Sequence, residues 1–255
     1  MKICTYNING IRAAIKKGLV DWIADTQYDQ YHFQETKAHK EQVDLSELED
    51  LGYHAYWHSA EKKGYSGVLT LSKKAADLVQ SDTGMADYDH EGRILRTDYG
   101  DWTVLNCYFP SGSSSEERHA FKMDFLNDFR PWVEDLLASR PKVIVVGDYN
   151  VVHLDLDIHN PNRKDKPSGF RPEERAWMDD WFDGPFRDAY RHLYPEQADT
   201  YSWWSYRAGA RDRNKGWRID YVSVSAGDIN KVKSAEHFRE IKHSDHCALV
   251  VEMDL

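Results

Sequence analysis

The run Val143-Ile144-Val145-Val146, closed by Gly147-Asp148, constrains the fold of this chain more than any other feature. A continuous apolar run ended by glycine predicts a strand covered on both faces. Such a strand demands layers on either side of its sheet. Ile3 to Asn7, Tyr31 to Glu35, Ser66 to Ser72, Thr103 to Phe109, Ile219 to Val224 and Ala248 to Met253 also read as strands. Between them Ile11, Ile15, Leu19, Trp22 and Ile23 recur at helical spacing. So do Phe121, Phe125, Phe129, Trp132, Val133, Leu136 and Leu137, with Pro131 expected to kink or restart the helix. Arg171-Pro172-Glu173-Glu174 places proline and acids where a helix begins, with Trp177 and Trp181 on its inner face. Strands mixed with helices over this length predict layered α/β packing. No linker divides the chain, so one domain over residues 1–255 is expected, with Asn160 to Ser168 as a surface loop.

The net charge of −10 weighs at first against nucleic acid, because binding to phosphates is dominated by Lys and Arg. Local distribution matters more, and Arg207 to Arg218 holds five basic residues against one acidic. Cys4, Cys107 and Cys247 are scattered and odd in number, which predicts buried reduced thiols rather than a zinc site or a disulfide framework. No stretch approaches the ~18 apolar residues of a membrane span, and the first residues turn polar too soon for a signal peptide. The expectation is a cytoplasmic protein with no membrane partner.

Side chains two apart on a strand share a face. On that rule Glu35 lies with Tyr31 and Phe33, Asp148 with Ile144 and Val146, and Asp220 with Val222 and Val224. Each acid alone reads as a solvated strand end or a structural ion pair. Three acids continuing apolar faces, from distant parts of the chain, read better as sharing a cation, because an unpaired buried carboxylate is costly. Asn7, Asn9 and Asn150 stand close by. Without a Cys or His cluster at zinc spacing, the expected ion is a hard one with oxygen ligands: Mg²⁺, with Mn²⁺ the alternative. His246 follows Ser244-Asp245, and a carboxylate such as Asp220 would hold its ring protonated. An imidazolium there would offset charge developing on a phosphate.

Tyr6-Asn7-Ile8-Asn9-Gly10-Ile11-Arg12, Gln34-Glu35-Thr36-Lys37, Gly147-Asp148-Tyr149-Asn150, Gly216-Trp217-Arg218-Ile219-Asp220-Tyr221 and Ser244-Asp245-His246-Cys247 occur in order. Lys63-Gly64-Tyr65-Ser66-Gly67-Val68, Glu91-Gly92-Arg93 and Tyr108-Phe109-Pro110 join them. Together they resemble the exonuclease III family of abasic-site endonucleases, in the endonuclease/exonuclease/phosphatase superfamily. The resemblance implies a four-layer α/β sandwich of two packed mixed sheets flanked by helices. It implies a monomeric phosphodiesterase that cuts duplex DNA 5′ to abasic sites and trims blocked 3′ ends. Glu35 is the implied principal metal ligand, with Asn7 and Asp245 lining the metal position. Asp148 would orient or deprotonate water, helped by Asn150. His246, set by Asp220, would contact the phosphate, as would the Tyr108 hydroxyl, and Asn9 would support the network. Trp203, Trp217 and Ile219 would wall a pocket for the extruded sugar. Arg207, Arg211 and Arg218 would grip phosphates.

Two departures stand out: Ser111 occupies a place where the family commonly has an amide, and Ala248 one where proline is usual. Two other readings share many of these features. One is a related phosphoesterase acting on phospholipid head groups, inositol phosphates or RNA. The other is a non-catalytic binding protein, which the full set of polar site residues disfavours.

Overall fold

Two six-stranded sheets face one another in the computed structural model, which describes residues 1–255. The first half of the chain forms β1 (Lys2–Asn7), α1 (Ile11–Lys16), α2 (Leu19–Thr26), β2 (Gln30–Gln34), α3 (Ser46–Asp50), β3 (His54–His58), β4 (Val68–Ser72), β5 (Leu78–Gln80), α4 (Ala86–Asp89), β6 (Ile94–Tyr99) and β7 (Trp102–Tyr108). The second forms α5 (Glu116–Ser139), β8 (Lys142–Asp148), α6 (Pro172–Asp183), β9 (Phe186–Asp188), α7 (Ala189–Leu193), β10 (Asp220–Ser225), β11 (Val232–Phe238) and β12 (Ala248–Met253). The sheets run β11-β12-β1-β2-β4-β3 and β5-β6-β7-β8-β10-β9. Both are mixed, with β1 parallel to β2 and β7 parallel to β8 among antiparallel neighbours.

The apolar run in β8 behaves as its composition demands. Ile144 and Val146 face inward, against Ile3, Val104, Val222, Val224, Leu249 and Val251 between the sheets. Val143 and Val145 face outward, under Phe125, Phe129 and Val133 of α5 and Trp177, Met178 and Trp181 of α6. On the other outer face Cys4, Tyr6, Tyr31, Phe33, Leu69 and Leu71 lie beneath Ile11, Ala14, Leu19 and Ile23. Helix, sheet, sheet, helix: four layers. All three cysteines are buried and unpaired, and no helix is long and apolar enough to cross a membrane.

Toward one end of the sandwich the seam between the sheets turns polar. Gln34 donates to Asn106 Oδ1 at 2.7 Å and to Thr5 Oγ1 at 3.1 Å, and Asn106 donates to the Leu69 carbonyl at 3.0 Å. These buried groups satisfy one another, as burial requires. Register brings β1, β2, β7 and β8 to a common end there. Asn7 lies beside Gln34, Tyr108 beside Asp148, and Asp148 beside Asp220, the first residue of β10.

Three expectations need correction. Pro131 neither stops nor restarts its helix, since α5 runs unbroken from Glu116 to Ser139. Pro131 and Asn127, whose carbonyl it deprives of a partner, both lie on the exposed face of the helix. The first helical pattern is two helices, parted at Lys17-Gly18. Strands β3, β5, β6, β9 and β11 escaped the sequence reading. Of these, β3, β5, β9 and β11 are sheet edges or half-exposed, while β6 carries the Arg96–Asp98 ion pair at 2.6 Å across its middle.

A buried charge cluster ties the loop after β8 to β10. Arg218 Nε and Nη2 donate to the two oxygens of Asp157 at 2.7 and 3.0 Å, and Nη2 also to Asp188 at 2.7 Å. Arg191 donates to Asp157 as well. Burial opposes the charge on Asp157, yet Arg218 and Arg191 hold its carboxyl down at about 2. An unfolded aspartate titrates near ~3.9. The stabilisation is therefore complete above about pH 4 and is lost as pH falls through about 2, a loss of about 3 kcal/mol. Asp157→Asn should cost about 3 kcal/mol at pH 7, by leaving Arg218 buried and under-compensated, and should flatten the acid limb. Urea unfolding at pH 7 and pH 3 measures both, and an unchanged midpoint at pH 7 would contradict the assignment.

Candidate active site

At the polar end of the seam the strands and their following loops enclose a cavity of about 500 Å³. Glu35, Tyr108, Asp148, Asn150, Trp203, Trp217, Ile219, Asp245 and His246 line it, with Ser111, Ser113, Arg163, Pro167 and Ser168. Most of the residues singled out in the sequence thus meet in one place.

Asn7 is the hub. Its side-chain N–H groups reach Glu35 Oε1 at 3.0 Å and Asp148 Oδ2 at 2.8 Å, one carboxylate from each sheet. Its oxygen accepts the Asn9 backbone N–H at 3.0 Å. Asn7 therefore bridges the two carboxylates as a donor, and its oxygen, with one lone pair on the Asn9 N–H, keeps a second facing outward from that bond. Glu35 also departs from strict alternation. Its φ of 52° lies in the left-handed region, which turns the side chain away from the Tyr31–Phe33 outer face and into the seam. There it accepts from the Tyr108 hydroxyl at 2.7 Å and pairs with Lys37 at 2.6 Å. Burial opposes the charge on Glu35, but Lys37, Asn7 and Tyr108 keep its carboxyl below the usual range.

Asp148 and Asp220 follow the alternation rule to the last residue. Gly147 permits this, because a Cβ there would stand 1.8 Å from the Cys107 carbonyl. Asp148 accepts the Asn150 backbone N–H at 2.8 Å. Its Oδ2 lies 3.8 Å from His246 Nε2, while His246 Nδ1 sits 2.8 Å from Asp220 Oδ2. Burial works against a charged ring, yet Asp220 and then Asp148 hold His246 protonated well above its ordinary range, to about 10. Burial pushes the Asp148 carboxyl up, with Asp220 and Glu35 adding to the push against the pull of His246. The pair is thus a carboxylate with raised proton affinity beside an imidazolium.

Asp245 accepts from Asn9 Nδ2 at 2.9 Å and from Trp203 Nε1 at 3.0 Å. Trp203 and Trp217 exchange backbone hydrogen bonds and meet edge-to-face at 5.8 Å between ring centroids. With Ile219 they form the apolar wall, backed by Val152, Ile158 and Phe170. Asp148, Asp220 and His246 offer ligand atoms within 4.8 Å of one another. An imidazolium is a poor ligand, because metal binding needs the neutral ring. The cavity-lining oxygens of Glu35 and Asp245 fit a hard cation better, and the buried Asp220 Oδ1 has no hydrogen-bond partner.

The basic run does not act as a unit. Arg218 is wholly buried on Asp157 and Asp188. The Arg211 guanidinium is spent on the carbonyls of Ser244, His246, Arg239 and Ile241. Neither is free to grip a phosphate; of the three named arginines Arg207 alone stands exposed, alongside Arg213 and Lys215 of the same run. His153 and Asp157 play structural parts, on Asp179 and in the arginine cluster. Sequence reasoning gave no role to Lys37, which also donates to Asn9 Oδ1, nor to Ser202, whose hydroxyl accepts the N–H groups of Ile219 and Asp220. Lys37 was legible as a residue of the Glu35 motif. Ser202 carried no signal.

In metal-free protein the His246 ring should remain an imidazolium at pH 8, and Asp220→Asn should bring its titration down below that pH. Nitrogen-detected NMR of the ring reads this directly, and an unshifted titration would show that Asp220 does not hold the proton.

The model of the endonuclease/exonuclease/phosphatase family matches residues 4–246. An exodeoxyribonuclease of Bacillus subtilis is 38% identical over 248 residues, covering 97% of each chain. A DNA-(apurinic or apyrimidinic site) endonuclease of Dictyostelium discoideum is 32% identical, over 100% of this chain and 71% of its own. Among solved structures, a 3′ phosphatase from Neisseria bound to a product DNA hairpin superposes with TM-score 0.92, at 25% identity and 100% of both chains.

Proposed function

The chain belongs to the endonuclease/exonuclease/phosphatase family, in its exonuclease III class of abasic-site endonucleases, and from that premise we propose that it hydrolyses DNA on the 5′ side of abasic sites and trims blocked 3′ ends. The observation that carries this reading is the continuous contact chain Glu35–Asn7–Asp148–His246–Asp220, set against the apolar wall of Trp203, Trp217 and Ile219. The abasic relative and the DNA-bound neighbour support DNA as substrate.

Asp148 is the base. Burial raises its proton affinity, while the Asn150 N–H and the Asn7 amide fix both its oxygens. It takes a proton from water as the water oxygen bonds to phosphorus. The bond from phosphorus to the 3′ oxygen breaks, and the leaving oxygen takes a proton from solvent water and departs as a hydroxyl. His246 faces the phosphate as an imidazolium and offsets charge gathering on its oxygens, with Asp220 fixing the ring from behind. Tyr108, whose hydroxyl burial and then Glu35 keep protonated, offers a second donor once it turns from Glu35 to the phosphate. Glu35 and Asp245, with Asn7 beside them, would hold a divalent ion, which supplies Lewis-acid stabilisation when bound. The wall admits a sugar without its base, and such nucleotides leave the helix at little stacking cost. The whole chain acts as one catalytic domain.

Asp148→Asn should lower turnover on a duplex carrying one abasic analogue by about a hundredfold or more, with duplex affinity nearly unchanged. Wild-type cleavage should stop in chelator and return with Mg²⁺. Product ends mapped on a denaturing gel decide the matter. Near wild-type turnover by the Asn variant removes Asp148 from the mechanism, and cleavage indifferent to chelator removes the ion.

A further inference from the structure

Lys122 of α5 and Glu174 in the first turn of α6 form an ion pair at 2.6 Å with both side chains fully buried. Burying two charges costs more than their attraction returns unless further hydrogen bonds complete them. The other partners of this pair are therefore informative: one, the Arg171 N–H at 2.9 Å, caps α6, and the rest lead to the cavity. Lys122 Nζ donates to the Asn150 carbonyl at 2.7 Å. Glu174 accepts the Gly169 N–H on both oxygens, at 2.8 and 2.6 Å, and the Ser168 hydroxyl at 3.0 Å.

Each contact point has a special conformation. Asn150 sits at φ 53°, a left-handed backbone that a residue with a side chain holds only when its surroundings impose it. In that conformation its N–H reaches one oxygen of Asp148, while its side-chain amide spans the Phe109 carbonyl at 3.0 Å and the other Asp148 oxygen at 3.3 Å. Gly169 lies so close that an added Cβ would stand 2.8 Å from the Asn150 carbonyl oxygen and 3.0 Å from the Trp217 ring. One end of the ion pair thus secures the residue that aims Asp148. The other secures the loop pressed against the Trp217 wall.

We propose that Lys122 and Glu174 are positioning residues that lock the water-activating group and the sugar-pocket wall into one relative geometry. The inference rests on the reading of Asp148 as base. Displacements of about 1 Å in such groups cost about a hundredfold in rate, which gives a buried charge pair here a use that an apolar pair could not serve.

The test compares wild type, Lys122→Met, Glu174→Gln, the double variant Lys122→Met/Glu174→Gln and Asp148→Asn on an abasic-analogue duplex in Mg²⁺, with thermal unfolding of each. The single Lys122 variant leaves a buried carboxylate unpaired, and its Tm should fall. The double variant removes both charges while Gln keeps an acceptor for Gly169, so its Tm should return close to wild type. Its kcat should nevertheless stay down about tenfold or more, with KM within about threefold. Stability restored without turnover is the signature of positioning. If kcat recovers together with Tm, the pair is structural and the proposal fails. Should the double variant not fold, the single variants decide: kcat should fall further in Lys122→Met, which loses the Asn150 contact, than in Glu174→Gln, and the reverse order overturns the proposal. If Asp148→Asn proves fully active, the reading of Asp148 as base is wrong. A crystal structure of Lys122→Met then decides the positioning claim alone, because Asn150 still left-handed on Asp148 would refute it.

Discussion

The site depends on one amide. Asn7 ends β1 where the two sheets meet, and its nitrogen holds a carboxylate of each sheet while its oxygen accepts the Asn9 N–H. An aspartate there would add a third negative charge. A leucine would leave two buried carboxylates facing each other with nothing between them, which costs several kcal/mol or forces one to protonate. The polar seam of Thr5, Gln34 and Asn106 leads up to this point, so the sandwich is sealed by apolar packing at one end and by directional bonds at the other. Directional bonds set distances where apolar contact sets only proximity. That difference explains why the reactive groups gather at the polar end.

How much of this the sequence discloses depends on how regular the backbone is. Asp148 and Asp220 obey strand alternation up to the residue that matters, and their neighbours Val146 and Val222 announced the face correctly. Glu35 was assigned to the right strand end and the wrong face, because one residue in the left-handed region reverses the side-chain direction and nothing local signals it. The charge run from Arg207 to Arg218 misled for a different reason. Whether an arginine is free depends on what folds against it, and the partner of Arg218 lies 61 residues away. Two of the three named arginines serve the fold. The acids, asparagines and aromatics were legible because several rare features coincided, whereas basic residues are common and their partners distant.

Net charge was uninformative for a related reason. Glu35, Asp148 and Asp245 line the cavity, Asp220 stands behind His246, and only Arg163 and His246 among the lining residues can carry positive charge. Lys37 is committed to Glu35 and Asn9. A DNA phosphate approaching this cavity meets more negative charge than positive, and at short range within a poorly solvated cleft that repulsion is not screened away. A hydrated dication at the Glu35 and Asp245 oxygens would reverse the local sign, so under the proposed reading the cation that polarises the phosphate would also let the phosphate arrive. Substrate and metal affinity would then be coupled through the same carboxylates, each strengthening the other by the same factor. On that reading the acids would keep an anionic ligand out of the cation-free cavity and admit it to the loaded one.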